Sequence, residues 1–275
     1  MKRILVGITT AASLLSMNAF AADLSPRTYT KAPMMVDPGF NWSGFYVGGN
    51  VGYSWGSSGN TEAISRLNTG LVLFNATSRN DVNGVIGGGQ IGYNWQSSNW
   101  LFGLEADIQG SGERGSSSTV CVACADDGTN ITSTLKQKLD WFGTLRGRAG
   151  ILVTPTVLLY GTGGLAYGDV KTGGSVTGNN VQGVPITVAF PGTSSIRTGW
   201  TAGAGVEGQI SGNWTAKLEY LYMDLGTVSA GPIALTGILV PVRTTAAASY
   251  SSHFTDNILR VGVNYHFSGP VVARY

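Results

Sequence analysis

Alternate positions between Phe45 and Trp55 separate by character. Phe45, Val47, Gly49, Val51, Tyr53 and Trp55 form one face, and Tyr46, Gly48, Asn50, Gly52 and Ser54 the other. A repeat of two is the repeat of a β-strand, here with large apolar groups on one side and small or polar groups on the other. The run Gly48–Trp55 is echoed by Gly88–Trp95, and both copies end on an aromatic pair in the same phase. Read along the chain, the pattern predicts strands at Gly44–Gly56, Gly84–Gln96, Trp100–Gly112, Leu139–Val153, Val157–Lys171, Arg197–Ile210, Trp214–Leu225 and His253–Phe267. In the third, Trp100, Phe102, Leu104, Ala106 and Ile108 oppose Gly103, Glu105, Asp107 and Gln109. In the fourth, Leu139, Trp141, Leu145, Ala149, Ile151 and Val153 oppose Asp140, Thr144, Arg146 and Arg148.

The connections alternate between short and long. Ser97–Asn99, Thr154–Thr156 and Ser211–Asn213 are tight turns, whereas Ser57–Asn83, Glu113–Lys138, Thr172–Ile196 and Gly226–Ser252 are long, polar and rich in Ser, Thr, Asn and Gly. Leu71–Phe74 could add a short strand to the first of these. A soluble sandwich has no reason to gather every short turn at one end, but transmembrane barrels do so, with an even strand number. Strands of about 11–14 residues, tilted by ~40°, cross an apolar band of ~25 Å. Phe45, Trp55, Trp95, Trp100, Trp141, Trp214, Tyr265 and Phe267 bracket the strands as an interfacial aromatic girdle would. The expected fold is therefore all-β: an eight-stranded antiparallel up-and-down transmembrane barrel with four long external loops.

The N-terminus adds export. Met1-Lys2-Arg3, an apolar run from Ile4 to Leu15 and Ala19-Phe20-Ala21 predict a signal peptide over residues 1–21, too short in its apolar part to span a bilayer. Residues 22–43, with Pro26, Pro33 and Pro38, read as an extended periplasmic leader; 44–267 as the barrel; 268–275 as a C-terminal extension. Glycine contributes 41 of 275 residues and charged residues only 12%, which suits a chain whose outer surface is not in water. The formal charge of +2 equals the contribution of Lys2 and Arg3, so 15 basic residues face 15 acidic ones in the rest. Neutrality argues against a nucleic-acid partner, which calls for a basic excess.

Candidate chemistry is sparse. The alternation points Glu105, Asp107, Asp140, Arg146, Arg148, Glu207, Lys217, Glu219 and Arg260 into the lumen. An eight-stranded barrel is just wide enough for its own side chains, so these charges are expected to interlock and plug it. His253, beside Asp256, Ser251 and Ser252, is a weak candidate for hydrolysis, and His266 reads as a lumen-facing hydrogen-bonding residue. Cys121 and Cys124 form a lone C-x-x-C that reads as a disulfide staple in an exported protein rather than a metal site. No catalytic site, cofactor or metal is expected.

Several runs together resemble a known family. Trp42-Ser43-Gly44-Phe45-Tyr46-Val47-Gly48-Gly49-Asn50-Val51-Gly52-Tyr53, Trp141-Phe142-Gly143-Thr144-Leu145-Arg146-Gly147-Arg148-Ala149-Gly150, Gly163-Gly164-Leu165-Ala166-Tyr167-Gly168 and Val261-Gly262-Val263-Asn264-Tyr265-His266-Phe267 are similar to stretches of the small outer-membrane β-barrel, or porin-family surface antigen, group of Gram-negative bacteria. That group is related to OmpA-like eight-stranded barrels. The resemblance implies placement in the outer membrane and insertion by the barrel-assembly machinery through a C-terminal aromatic, either Phe267 or Tyr275. Outer-membrane lipid and lipopolysaccharide would surround the wall, and host or envelope proteins could meet the long loops. The expected role is structural and surface-interacting, without enzymatic activity; the alternatives are a small-solute or ion porin, and an adhesin or haem-binding surface protein.

Overall fold

The computed structural model describes residues 40–66, 70, 72–122, 130–179, 183–235 and 246–267. The signal peptide, most of the leader, Leu71, Cys124 and the 268–275 extension with Tyr275 lie outside the described residues.

Eight antiparallel strands form one closed ring: β1 (Gly44–Arg66), β2 (Val72–Ser97), β3 (Trp100–Cys121), β4 (Ile131–Thr154), β5 (Val157–Asn179), β6 (Pro185–Ser211), β7 (Trp214–Leu235) and β8 (Ala246–His266). Each pairs with its sequence neighbour, and β1 closes on β8 through pairs such as Val51↔Val261. At one end the connections are minimal: Ser97 pairs with Trp100, Thr154 with Val157, and Ser211 with Trp214. Ser98 and Gly212 accept the left-handed conformation that such tight turns impose, at φ 55° and 51°. Closure leaves no sheet edge and pairs the backbone around the whole ring.

The strands run 21 to 27 residues, well beyond the expected segments. Most of Ser57–Asn83, Glu113–Lys138, Thr172–Ile196 and Gly226–Ser252 is therefore ladder rather than loop. At ~3.3 Å per residue and a ~40° tilt the barrel is roughly 50–70 Å tall, about twice the apolar band. Above that band the outer face loses its run of large apolar groups and the inner face mixes Ile131 and Leu135 with Ser133 and Gln137, so the contrast that marks the lower strands does not continue.

A second departure lies in β4. Leu139 and Phe142 both point inward, while Asp140 and Trp141 between them both point outward. The ladder registers break there on both sides, between Gly110 and Glu113 of β3 and between Leu139 and Phe142 of β4. This bulge reverses the alternation, so the expectations of an outward Leu139 and a lumenal Asp140 are both corrected.

Elsewhere the two faces are as different as the alternation implies. Leu104 is 54% exposed and Glu105, next to it, 2%. The outer wall carries Phe45, Trp95, Trp100, Trp214, Tyr265 and Phe267 near the tight turns, and Trp55 and Trp141 some ten positions up their strands. Inward glycines make room for cross-strand rings. Tyr46 lies over its partner Gly92, where a Cβ would sit 2.3 Å from the ring, and Tyr160 lies over Gly205 at 2.6 Å.

Candidate functional site

The lumen is filled in layers. At the tight-turn end, Trp42 is fully buried among Leu101, Leu152, Leu158 and Tyr160. Its indole N–H donates to the Pro155 carbonyl at 3.1 Å, and its backbone N–H to Gln96 Oε1 at 3.1 Å. Phe40 and Trp42 meet the ring of His266 edge-on, and His266 stacks on Tyr46 at 5.3 Å. The last residues before β1 thus cap the mouth.

Above this cap is the ionic layer. Arg146 Nη2 pairs with Glu105 and, at 3.0 Å, with Asp107, and its Nη1 lies 3.2 Å from Glu219. Arg260 Nη2 lies 2.6 Å from Glu219 and 3.0 Å from Asp107. Lys217 Nζ is 3.0 Å from both oxygens of Glu105. Arg148 pairs with Glu207 at 2.7 Å, and its guanidinium lies over the Tyr160 ring at 4.2 Å. Neutral groups complete the set. Tyr46 donates to Glu105 at 2.7 Å, Tyr160 to Glu219 at 2.9 Å, Thr144 to Asp107 at 2.8 Å, and Thr215 and Asn264 to Glu207 at 2.6 and 2.7 Å.

Eight of the nine expected lumen charges therefore meet in one network drawn from β3, β4, β6, β7 and β8. With Asp140 on the outer wall, four acids (Glu105, Asp107, Glu207, Glu219) face four bases (Arg146, Arg148, Lys217, Arg260), so the formal charges within this network balance. Charges removed from water call for such partners, since each alone would cost several kcal/mol.

Toward the other end an apolar layer follows, with Val82, Ile86, Leu139, Phe142, Val170, Leu221, Met223, Phe254 and Ile258. Leu139 and Phe142 both belong to it because of the β4 bulge. Two further carboxylates are buried near it: Asp256 accepts from Ser54 at 2.5 Å and Glu113 from Ser111 at 3.0 Å. Beyond lies a polar layer in which Gln137 donates to Ser252 at 2.5 Å and to Asn60 at 3.2 Å, and Thr172 meets Tyr250 at 2.7 Å. Ile64, Ile131, Leu135 and Val176 are buried higher still.

The hydrolytic candidate does not assemble. His253 faces outward, its Nε2 3.5 Å from Asp224 and its Nδ1 3.1 Å from Thr227; Ser251 shares that face but is hydrogen-bonded to Ser229 at 3.2 Å, whereas Ser252 and Asp256 are buried in the lumen. His266 is buried and lies 3.3 Å from Glu207. Cys121 ends β3, and its expected disulfide partner Cys124 lies outside the described residues. Sequence reasoning passed over Trp42, Tyr46, Tyr160, Glu113 and Asp256 as lumen groups. Tyr46 was signalled by its position on the small, polar face; Trp42 precedes any alternation and gave no signal.

Residues 8–267 match the family model described as outer membrane protein beta-barrel domain. The 31 kDa outer-membrane immunogenic protein of Brucella melitensis is 35% identical over 270 residues, covering 94% of this chain and 98% of that one. The 22 kDa outer membrane protein of Rhizobium leguminosarum bv. viciae is 34% identical over 232 residues, covering 84% and 81%. The solved structure of the outer membrane protein OprG from Pseudomonas aeruginosa aligns over 82% of this chain and 97% of its own, with 11% identity and a TM-score of 0.42. The closed ring, its apolar outer wall, and a match over nearly the whole chain place this protein in the outer membrane, as a member of the outer membrane protein β-barrel domain family.

Proposed function

We propose that this protein is a non-conducting structural barrel that reinforces the outer membrane and presents its tall external part at the cell surface. The observation that supports this is the succession of buried side-chain layers across the lumen, from the Trp42 cap through the balanced ionic network to the apolar layer around Phe142 and Phe254. An ion crossing it would have to displace two largely apolar layers as well as separate the ion pairs, each of which opposes passage. The surface role follows the 31 kDa relative, which is named as immunogenic.

Planar-bilayer conductance tests the reading. The wild-type protein is expected to give no stable current. Arg146→Ala is expected to stay silent too, because the layers above and below the ion pairs remain; a porin gated by those pairs would open. A stable large conductance of the wild type overturns the proposal. Cells lacking the protein are expected to become more sensitive to detergent while small-solute uptake is unchanged.

A further inference from the structure

Above the external aromatics the outer wall changes character within a few rungs. Trp141, Tyr167 and Trp200 face outward from β4, β5 and β6, and Asp140 and Asp169 come next. One rung higher, Arg114, Lys138 and Lys171 stand abreast. Arg114 is opposite Lys138 across the β3–β4 ladder, and Lys138 is opposite Lys171 across the β4–β5 ladder. Lys136 follows two positions beyond Lys138, opposite Ser116 and Gly173.

Neighbouring strands are only ~4.8 Å apart, and like charges placed directly opposite each other weaken a ladder. The chain offsets this repulsion in part. Asp140 is shared by Lys138 and Lys171, at 2.6 Å from the latter, and Asp169 lies 3.9 Å from Lys171. Arg114 and Lys136, both exposed, have no ion-pair partner among the described residues. With Asp81, these four cations line an open groove of about 820 Å³. Four bases against Asp81, Asp140 and Asp169 leave the sector positive in a chain that is otherwise close to neutral. The three described lysines that face away from the lumen all fall here, while the wall between the two aromatic tiers carries no charged residue among those described.

Height identifies the occupant. Aromatic rings of this kind sit where hydrocarbon meets headgroups, so the cation row stands at the level of headgroup phosphates. We propose that Arg114, Lys136, Lys138 and Lys171 form a docking site for the phosphorylated headgroup of an outer-leaflet glycolipid, lipopolysaccharide. The Arg114 guanidinium offers a paired donor fork and the lysines point charges to phosphate oxygens, while Trp141 and Tyr167 below receive the first methylenes of the acyl chains. This inference rests on the outer-membrane placement and is independent of whether the lumen conducts.

The full-length chain, folded in detergent, is titrated with four probes: lipopolysaccharide, the same lipid after enzymatic removal of its phosphates, phosphatidylglycerol, and inorganic phosphate. Binding is read by native mass spectrometry. Intact lipopolysaccharide is expected to bind at least about ten-fold more tightly than the other three, and the triple variant Arg114→Gln, Lys138→Gln, Lys171→Gln to lose about ten-fold or more of that affinity. Unchanged affinity in the triple variant overturns the proposal, as does equal binding of the dephosphorylated lipid. Phosphatidylglycerol or phosphate binding as tightly also overturns it, leaving a general anion-attracting surface.

Heat-modifiable migration on gels reports whether the triple variant folds. Asp140→Asn provides a second test, because it keeps every cation and removes the acid shared by two of them. It is expected to tighten binding by roughly two- to five-fold, and a weakening counts against the site. A conducting wild-type lumen would sink the sealed-barrel reading and leave this one untouched; failure of lipid binding would do the reverse.

Discussion

Tyr46 and Gly92 face each other across the β1–β2 ladder, and the tyrosine ring occupies the space a Cβ at position 92 would need. The glycine thereby holds a ring whose hydroxyl donates to Glu105 and accepts from Arg148 at 3.0 Å. Gly92→Val is expected to push the ring off its seat and disturb both contacts, at a cost of about 1–3 kcal/mol. Urea unfolding in lipid vesicles measures it. In a Tyr46→Ala background the same substitution should cost less, so fully additive losses would contradict the seating argument.

Within the ionic layer, Arg146 touches three carboxylates. Arg146→Met leaves an excess acid enclosed, and the expected loss is about 3–5 kcal/mol. Adding Asp107→Asn restores the balance of charge and should recover part of the loss, read from the same unfolding titration. A double variant as unstable as the sum of its parts would show that charge balance is not what the layer supplies.

The bulge makes an orientation prediction that plain alternation reverses. In a Cys121→Ser, Cys124→Ser background, a water-soluble maleimide added to the purified protein folded in detergent should label Asp140→Cys readily and Leu139→Cys hardly at all. Asp140 is partly exposed on the external wall, and Leu139 is fully buried. Preferential labelling of position 139 would remove the bulge, and with it the balance of four acids against four bases in the ionic network.

His253 points away from Ser252 and Asp256, so it cannot serve them as a base. His253→Ala should change stability by no more than about 0.5 kcal/mol, as an exposed substitution does. Esterase and peptidase assays of purified wild type and variant should be indistinguishable from blank. Activity that disappears with His253 would reopen the catalytic reading.

The aromatic and charged faces of the lower barrel were legible in the sequence because lipid on one side and a polar lumen on the other force a contrast at every second residue. Leu104 beside Glu105, and Val206 beside Glu207, could be sorted by chemistry alone. The tight turns at Ser97–Asn99 and Ser211–Asn213 were legible for the same local reason: two residues must reverse the chain. Asp140 was not. Its carboxylate suits the lumen by type, and a bulge is a property of two registers meeting, which one strand's pattern does not contain.

By itself, then, the sequence determined the strand number, the polarity of long and short connections, and which residues of the lower barrel face hydrocarbon. Tertiary structure alone decided three further things. It set how far the strands climb above the membrane, since a ladder with water outside and a mixture of apolar and polar groups inside, such as Ile131, Ser133, Leu135 and Gln137, no longer shows the lipid-facing alternation of the lower barrel. It brought residues of β3, β4, β6, β7 and β8 into one balanced network, because barrel closure fixes which rungs share a level. And it turned Trp42 back into the mouth, where burial against Leu101 and Leu158, rather than any local pattern, fixes its place.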